Sequence, residues 1–318
     1  MKRIATAVLA ITTLLATTAA DAADKLKLAI GQRGIWHGAP ADLGMRGGIF
    51  PKHGLDLEIL YTDGAGQTMQ AVIAGSADIG VSVGTLGVLG AYAKGAPIRI
   101  IGSESIGEDA YWFVRKDSPV KSMADMSGRT IAFSTVGAST HANVLALIDH
   151  YKVDAKPVAT GGGPATFTMV MTGQVDAGWS APPLGLEALR KGEVRVIVRA
   201  DELPLVKGHT VRTIIANKDS LESKRAVYTR FMRAYRETID WMYASDEALK
   251  IYAAFAGTSP EDAQRIRDEF DPKEMLIPDR VMGLADLMPD AARFKFISQP
   301  LTEAQLKELV QIPGTTSP

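Results

Sequence analysis

The sequence predicts an α/β protein of two related lobes, each with a mixed, mostly parallel sheet and flanking helices. Three observations carry this reading. The chain has 318 residues, enough for about two domains at roughly 100–200 residues each. Strand-like alternation and helix-like spacing take turns from residue 26 to residue 240, the pattern of successive βα units. The segment His53–Gly87 also recurs without a gap as Tyr151–Gly185, with 11 of 35 positions identical. Among the identities are Thr62/Thr160, Gly64/Gly162, Thr68/Thr166, Gly75/Gly173, Asp78/Asp176, Gly80/Gly178, Ser82/Ser180 and Gly87/Gly185.

Each element follows from local pattern. Leu26–Ile30 is a short apolar strand, and Leu55–Leu60 alternates apolar with polar as a strand does. Thr62–Gly66 is a Gly-rich turn. Gln67–Ala74 has helical spacing and stops at Gly75, a C-cap signal. Ala77–Val81 is a buried strand, Thr85–Ala93 a helix and Ile98–Ile101 a further strand. The second copy repeats this order. Strand Thr130–Phe133 precedes it, then come strand Val153–Ala159, turn Thr160–Gly163, helix Ala165–Met171, strand Val175–Trp179, helix Leu184–Arg190 and strand Val194–Val198. Gly102–Ala110 and Asp201–Thr210 read as two crossovers between lobes, followed by strands Tyr111–Arg115 and Val211–Ala216. Beyond Lys218 the pattern is helical: Ser223–Ala244, Ala248–Phe255, Pro260–Phe270, Asp279–Leu287 and Thr302–Val310. These predict a helical cap on lobe one. The division is 1–22, 23–104 for the first part of lobe one, 105–212 for lobe two, and 213–318 for the return to lobe one with the cap.

Residues 1–22 read as a cleavable signal peptide. Lys2 and Arg3 precede an uncharged run from Ile4 to Ala20, and Ala20-Asp21-Ala22 is an A-x-A cleavage site. No later stretch is apolar enough to span a bilayer, so the expectation is an exported, soluble, monomeric protein. With 35 basic against 36 acidic residues the net charge is -1, which argues against a nucleic-acid partner. Zero cysteine removes disulfides, thiolate metal sites, iron–sulfur clusters and thiol catalysis. There is also no H-E-x-x-H and no G-x-S-x-G. The five histidines lack metal-ligand spacing, so no metal, no cofactor and no enzyme activity are expected.

Open parallel sheets bind ligands beyond the C-terminal ends of their strands, which directs attention to the post-strand turns. Ser134, Thr135, Gly137, Ser139 and Thr140 lie between a strand and the helix through Ala142–His150. Free N–H groups at a helix start, with hydroxyls beside them, suit an anion. Ser82 and Thr85 follow one strand and Ser180 follows its repeat, so both lobes offer hydroxyls to one ligand. Gly64 and Gly162 allow close backbone approach. Arg33 can pair bidentately with a carboxylate or sulfonate, and Arg212 at the second crossover is its weaker rival. Trp36 and Trp179 offer rings to an apolar ligand body. His37 reads as a helix-start residue, and Glu108-Asp109 as linker charge.

Gly44-x-x-Gly47-Gly48-Ile49-Phe50, Lys52-His53-Gly54-Leu55-Asp56-Leu57-Glu58, Ala74-Gly75-x-Ala77-Asp78-Ile79-Gly80 and Ser127-Gly128-Arg129-Thr130-Ile131-Ala132 together resemble a known family. It is that of the periplasmic substrate-binding proteins of nitrate/sulfonate/taurine ABC importers (SsuA/THI5-like, NMT1). The resemblance covers about residues 25–240. It implies a periplasmic-binding-protein-like (type II) fold that closes on a small molecule and docks on an ABC permease with its cytoplasmic ATPase. The expected ligand is a small organic anion, with a neutral aromatic or pyrimidine-like ring as the alternative. The family's pyrimidine-synthesis enzymes use a Cys-rich motif that this chain lacks.

Overall fold

The computed structural model describes residues 23–315. The expected signal peptide lies outside them. Among the described residues no helix is long and apolar enough to cross a membrane. Those residues form ten strands: β1 Asp24–Gly31, β2 Leu55–Thr62, β3 Ile79–Gly84, β4 Ile98–Ile106, β5 Tyr111–Arg115, β6 Thr130–Phe133, β7 Lys156–Ala159, β8 Gly178–Ser180, β9 Val194–Arg199 and β10 Thr210–Asn217.

Lobe one holds a five-stranded sheet in the order β2-β1-β3-β10-β4. β1 runs parallel to β2 and β3, while β10 is antiparallel to both its neighbours. Lobe two holds β8-β5-β9 and the parallel pair β6-β7. Backbone bonds from Ala132 N to Ala177 O (2.8 Å) and from Ala177 N to Thr130 O (3.1 Å) join the two. Lobe two therefore reads β7-β6-β8-β5-β9, the order of lobe one with β5 standing where β10 stands. Each lobe takes its antiparallel strand from a crossover: the chain enters lobe two through β5 and returns to lobe one through β10.

The repeated residues do the same work in both copies. Thr62 Oγ1 meets Thr68 Oγ1 at 2.7 Å, and Thr160 Oγ1 meets Thr166 Oγ1 at 2.6 Å. Both pairs stitch a post-strand turn to the first turn of the next helix. Gly75 (φ 72°) and Gly173 (φ 75°) end those helices in the left-handed region, where a Cβ is costly. A Cβ on Gly80 would sit 2.9 Å from the Val72 side chain, and one on Gly178 would sit 2.5 Å from that of Val170. Helix and strand approach each other closely only because both positions lack a side chain. Asp78 accepts from Lys27 N, and Asp176 from Thr130 N, each at 2.9 Å.

The helix Arg225–Ala244 lays Phe231, Tyr235, Ile239 and Met242 on a core shared with Leu26, Ile30 and Phe50. Burial of each such side chain is worth about 1.5–3 kcal/mol. The cap is not confined to lobe one: Arg190 of lobe two pairs with Asp262 at 3.2 Å, and Asp149 pairs with Arg293. The helix expected over Ser223–Ala244 forms as Arg225–Ala244, with a separate short helix Lys218–Ser223 before it. Two local expectations are corrected. Most of the expected first linker is the end of β4, which stays paired with β10. Asp279–Leu287 is not a helix. Ser103 N donates to Pro278 O, and Thr210 N to Met282 O, so this stretch runs extended along the ends of β4 and β10. Gly283 then turns it at φ 74°, and the helix begins only at Met288.

Candidate functional site

The C-terminal parts of β1, β3 and β8 and the turns after β1, β2 and β6 meet at one cavity of about 30 Å³. Lobe one contributes Gln32, Ile35, His37, Gly64 and Ser82. Lobe two contributes Ser134, Ala138, Ser139, Thr140 and Trp179, and Arg212 comes from β10. Ligand pockets for drug-sized molecules measure roughly 300–1,000 Å³, so this cleft is shut. Gly66 N donates to Thr135 Oγ1 across the seam at 3.0 Å. A Cβ on Gly87 would lie only 2.1 Å from Gly137 O, which shows how tightly the lobes meet.

Local backbone shapes the lobe-one wall. Gln32 (φ 67°) and Ser82 (φ 64°) both adopt the left-handed region without being glycine, a cost that recurs at functional sites. Ser82 is held there by Glu104, which accepts from its N–H and, at 2.7 Å, from its Oγ. On the lobe-two wall the helix Ser139–Tyr151 starts from Ala138 with no side-chain cap. Its positive end faces the cavity. Ser134 and Thr140 bind each other there, Oγ to Oγ1, at 2.9 Å.

No lining residue is a carboxylate, yet a layer of buried charge lies directly behind. Arg212 contacts Glu108, and also Asp109 at 3.3 Å and Ser105 Oγ at 3.3 Å. Asn143 of lobe two donates to Glu108 at 2.9 Å. The first crossover, the second crossover and lobe two are thus fastened at one point. His37 Nδ1 lies 2.7 Å from Glu104 and its Nε2 lies 3.6 Å from Asp109. Burial and the Arg212 charge press the imidazole toward neutrality, but Asp109 and Glu104 outweigh them and raise its pKa to about 10. The cavity wall therefore carries two cations, Arg212 and protonated His37. Burial pushes Glu108 up, and the neighbouring Asp109 charge adds to this against Arg212. Burial would also raise Asp109, but His37 and Arg212 overcome it and hold that carboxyl well below the usual range. Asp271 is fully buried; burial first, and then the Asp109 charge, push it up to about 8. His37, Asp109 and Asp271 are also the group whose spacing could hold a metal ion.

Of the residues singled out from sequence, Gly64, Ser82, Ser134, Ser139, Thr140 and Trp179 come together at this cavity. The others do not. Arg33 is exposed, and its guanidinium lies 4.9 Å from the Phe255 ring centre, leaving Arg212 as the arginine of the cleft. Trp36 is fully buried, edge-on to Tyr252, with Nε1 bonded to Tyr243. Thr85 Oγ1 donates to Thr210 O. Ser180 Oγ donates to Leu184 O, closing a turn inside lobe two. Thr135 and Gly137 line a separate open groove of about 1,000 Å³. Gly162 faces the Asp63 carbonyl of lobe one. His37 and the Glu108-Asp109 pair stand in this buried layer although their sequence context reads as a helix start and linker charge. A usable signal was two adjacent acids in one crossover and an arginine in the other.

Solved structures share this fold. The alkanesulfonate-binding protein SsuA from Xanthomonas axonopodis pv. citri, bound to MOPS, is 17% identical with a TM-score of 0.74, covering 91% of this chain and 98% of its own. The periplasmic nitrate-binding protein NrtA from Synechocystis PCC 6803 is 14% identical with a TM-score of 0.68, covering 91% and 86%. The desulfurization enzyme DszB is 16% identical with a TM-score of 0.64, covering 91% and 96%. Comparison with the curated proteins gives no match. Residues 43–248 match the family described as NMT1/THI5 like. That match takes in most of both lobes, and the chain belongs to the NMT1/THI5-like family, on a fold that binding proteins share with at least one enzyme.

Proposed function

We propose that this chain is an exported solute-binding protein of an ABC importer, working as a monomer in the periplasm and handing its ligand to a permease driven by a cytoplasmic ATPase. The ligand is a small organic anion of sulfonate or carboxylate type. One observation carries this reading: Arg212, His37 and an uncapped helix start converge on an interlobe cavity whose lining contains no carboxylate. The acids one layer behind keep the two cations charged and in place. The shut cleft supports a cycle in which the lobes part, admit the anion and close on it. Contacts from both walls then favour the closed form, which the permease reads.

The alternative ligand, a neutral ring held between two tryptophans, draws less support. Trp36 is locked in the lobe-one core. Trp179 alone reaches the cavity, where its buried Nε1 has no protein partner and is free to donate to a ligand. DszB has the same fold, so release of the ligand unchanged is part of the proposal.

The test is a thermal-shift panel of sulfonates, carboxylates, nitrate and pyrimidines, with mass spectrometry of each compound after release. An anion at 100 times its Kd should add about 2.7 kcal/mol of stability. Protection by pyrimidines alone would overturn the anion assignment, and chemical conversion of the compound would overturn the binding role.

A further inference from the structure

We propose that His37, Asp109 and Asp271 bind a divalent transition-metal cation of the zinc type, one layer beneath the interlobe cavity, through His37 Nε2 and one oxygen of each carboxylate. The three residues come from distant points of the chain. His37 follows β1, Asp109 lies in the first crossover and Asp271 ends the turn Ile266–Phe270. This separation is why no metal-ligand spacing is legible in the sequence.

Three observations point to an ion. The candidate ligand atoms all lie within 4.8 Å of one another, and His37 Nε2 is 3.6 Å from the nearer Asp109 oxygen. Four-coordinate zinc holds N and O ligands at about 2.0–2.2 Å, which sets neighbouring donors about 3.3–3.6 Å apart. Second, the atoms facing the site lack protein partners. His37 Nε2, Asp109 Oδ2 and both Asp271 oxygens are buried and make no hydrogen bond. A buried carboxyl with neither oxygen satisfied is costly whether charged or neutral. Third, the histidine is already oriented. Its Nδ1–H donating to Glu104 at 2.7 Å leaves the Nε2 lone pair for a metal, the usual outer-shell arrangement for a ligating imidazole.

The surrounding charge agrees. Glu104, Glu108, Asp109 and Asp271 are four buried carboxylates gathered around one arginine and one histidine. A doubly charged ion offsets part of this concentration of buried negative charge. Three protein ligands leave a fourth position open. The proposal goes beyond solute binding and does not depend on which solute the cleft takes.

The experiment uses the mature protein, stripped with a chelator and titrated with zinc chloride or cobalt chloride alone. One zinc per chain by calorimetry, and the visible d–d bands of a four-coordinate site with cobalt, are expected. Asp271→Asn should weaken zinc binding by at least about 100-fold, while His53→Gln, half-buried beside Glu237 and outside the cluster, should leave it unchanged. The wild-type chain decides the matter even if Asp271→Asn fails to fold. No stoichiometric zinc, the six-coordinate spectrum of loosely held cobalt, or equal binding by Asp271→Asn would overturn the proposal. None of these readings involves an organic solute, so failure of the anion panel leaves them intact.

Discussion

The two lobes share a strand order and a set of repeated residues, but they share almost nothing at the cleft. Ser82 and Ser180 occupy equivalent strand ends, yet Ser82 bonds to buried Glu104 at the cavity while Ser180 closes a turn on Leu184 O. Val81 sits in the lobe-one core where its repeat mate Trp179 reaches the cavity. Gly87 meets the other lobe, whereas Gly185 meets Tyr111 and Ser180 of its own. Repetition in this chain marks duties internal to each lobe, such as ending a helix or letting a helix touch a strand. The chemistry sits where the copies diverge, and in the crossovers, which belong to neither copy.

That contrast can be broken most forcefully between the lobes. Arg212→Ala removes the partner of two buried acids, Glu108 and Asp109, and unties the two crossovers. Removing one member of a buried ion pair costs about 3–5 kcal/mol, and urea unfolding should record a loss of that size. Arg33→Ala, on the outside of lobe one, should stay within about 0.5 kcal/mol. Equal stability of the two variants would mean that the buried cluster does not clamp the hinge.

The glycine pair gives the next largest effect, and it splits by type. Gly185 has φ 81°, and a Cβ there would stand 2.7 Å from Tyr111 Oη. Gly185→Ala should therefore cost about 1–3 kcal/mol of stability. At Gly87 the obstacle is the Gly137 carbonyl of lobe two, and parting the lobes relieves it. Gly87→Ala should leave the solute-free protein close to wild type in melting but weaken solute binding by at least about tenfold, or 1.4 kcal/mol. Small-angle scattering should show the variant open in the presence of solute. Loss of affinity in Gly185→Ala alone would reverse the assignment.

The serines test the same division with a smaller signal. Ser82→Ala should weaken solute binding about tenfold, since it strips a hydroxyl from the cavity and frees Glu104. Ser180→Ala should instead cost about 1 kcal/mol of stability with affinity unchanged, readable by calorimetry beside thermal unfolding. From sequence both serines read as ligand contacts, but in the structure one hydroxyl bonds Glu104 at the cavity and the other Leu184 O within lobe two.

Much of the architecture is legible before any coordinates, because it depends on local pattern. β5, β6 and the helix Thr85–Ala93 stand where alternation and helical spacing predict them. Asp279–Leu287 misleads because its conformation is set by backbone bonds to Ser103 and Thr210, far away in sequence. The cleft hydroxyls are legible because they follow strands. The buried cluster is not, since His37, Glu104, Asp109, Arg212 and Asp271 are joined only by folding. Glu108-Asp109 reads as solvated linker charge until Arg212 and Asn143 are found against it. Periodicity reports which face is buried but cannot say which two buried charges will meet.

The smallest effect belongs to the repeated aspartates, and it concerns acid. Asp78 accepts from Lys27 N at 2.9 Å and from Lys224 Nζ at 3.0 Å. Asp176 accepts from Thr130 N at 2.9 Å and Thr130 Oγ1 at 2.8 Å. Burial alone would raise both carboxyls, but these hydrogen bonds prevail and hold each below its ordinary value. A carboxyl depressed in the folded state stabilises the fold above its unfolded pKa of about 3.9, and that contribution fades as pH falls through the folded value. Asp78→Asn should therefore lose about 1 kcal/mol near neutrality and show a flatter fall in stability below about pH 4. Asp176 has a more exposed side chain, at 37% against 15%, so solvent screening should leave Asp176→Asn a smaller loss. Urea unfolding from neutral pH into the acid range checks both. Parallel acid curves for wild type and the two variants would show that the shared aspartates hold their turns without contributing to acid sensitivity.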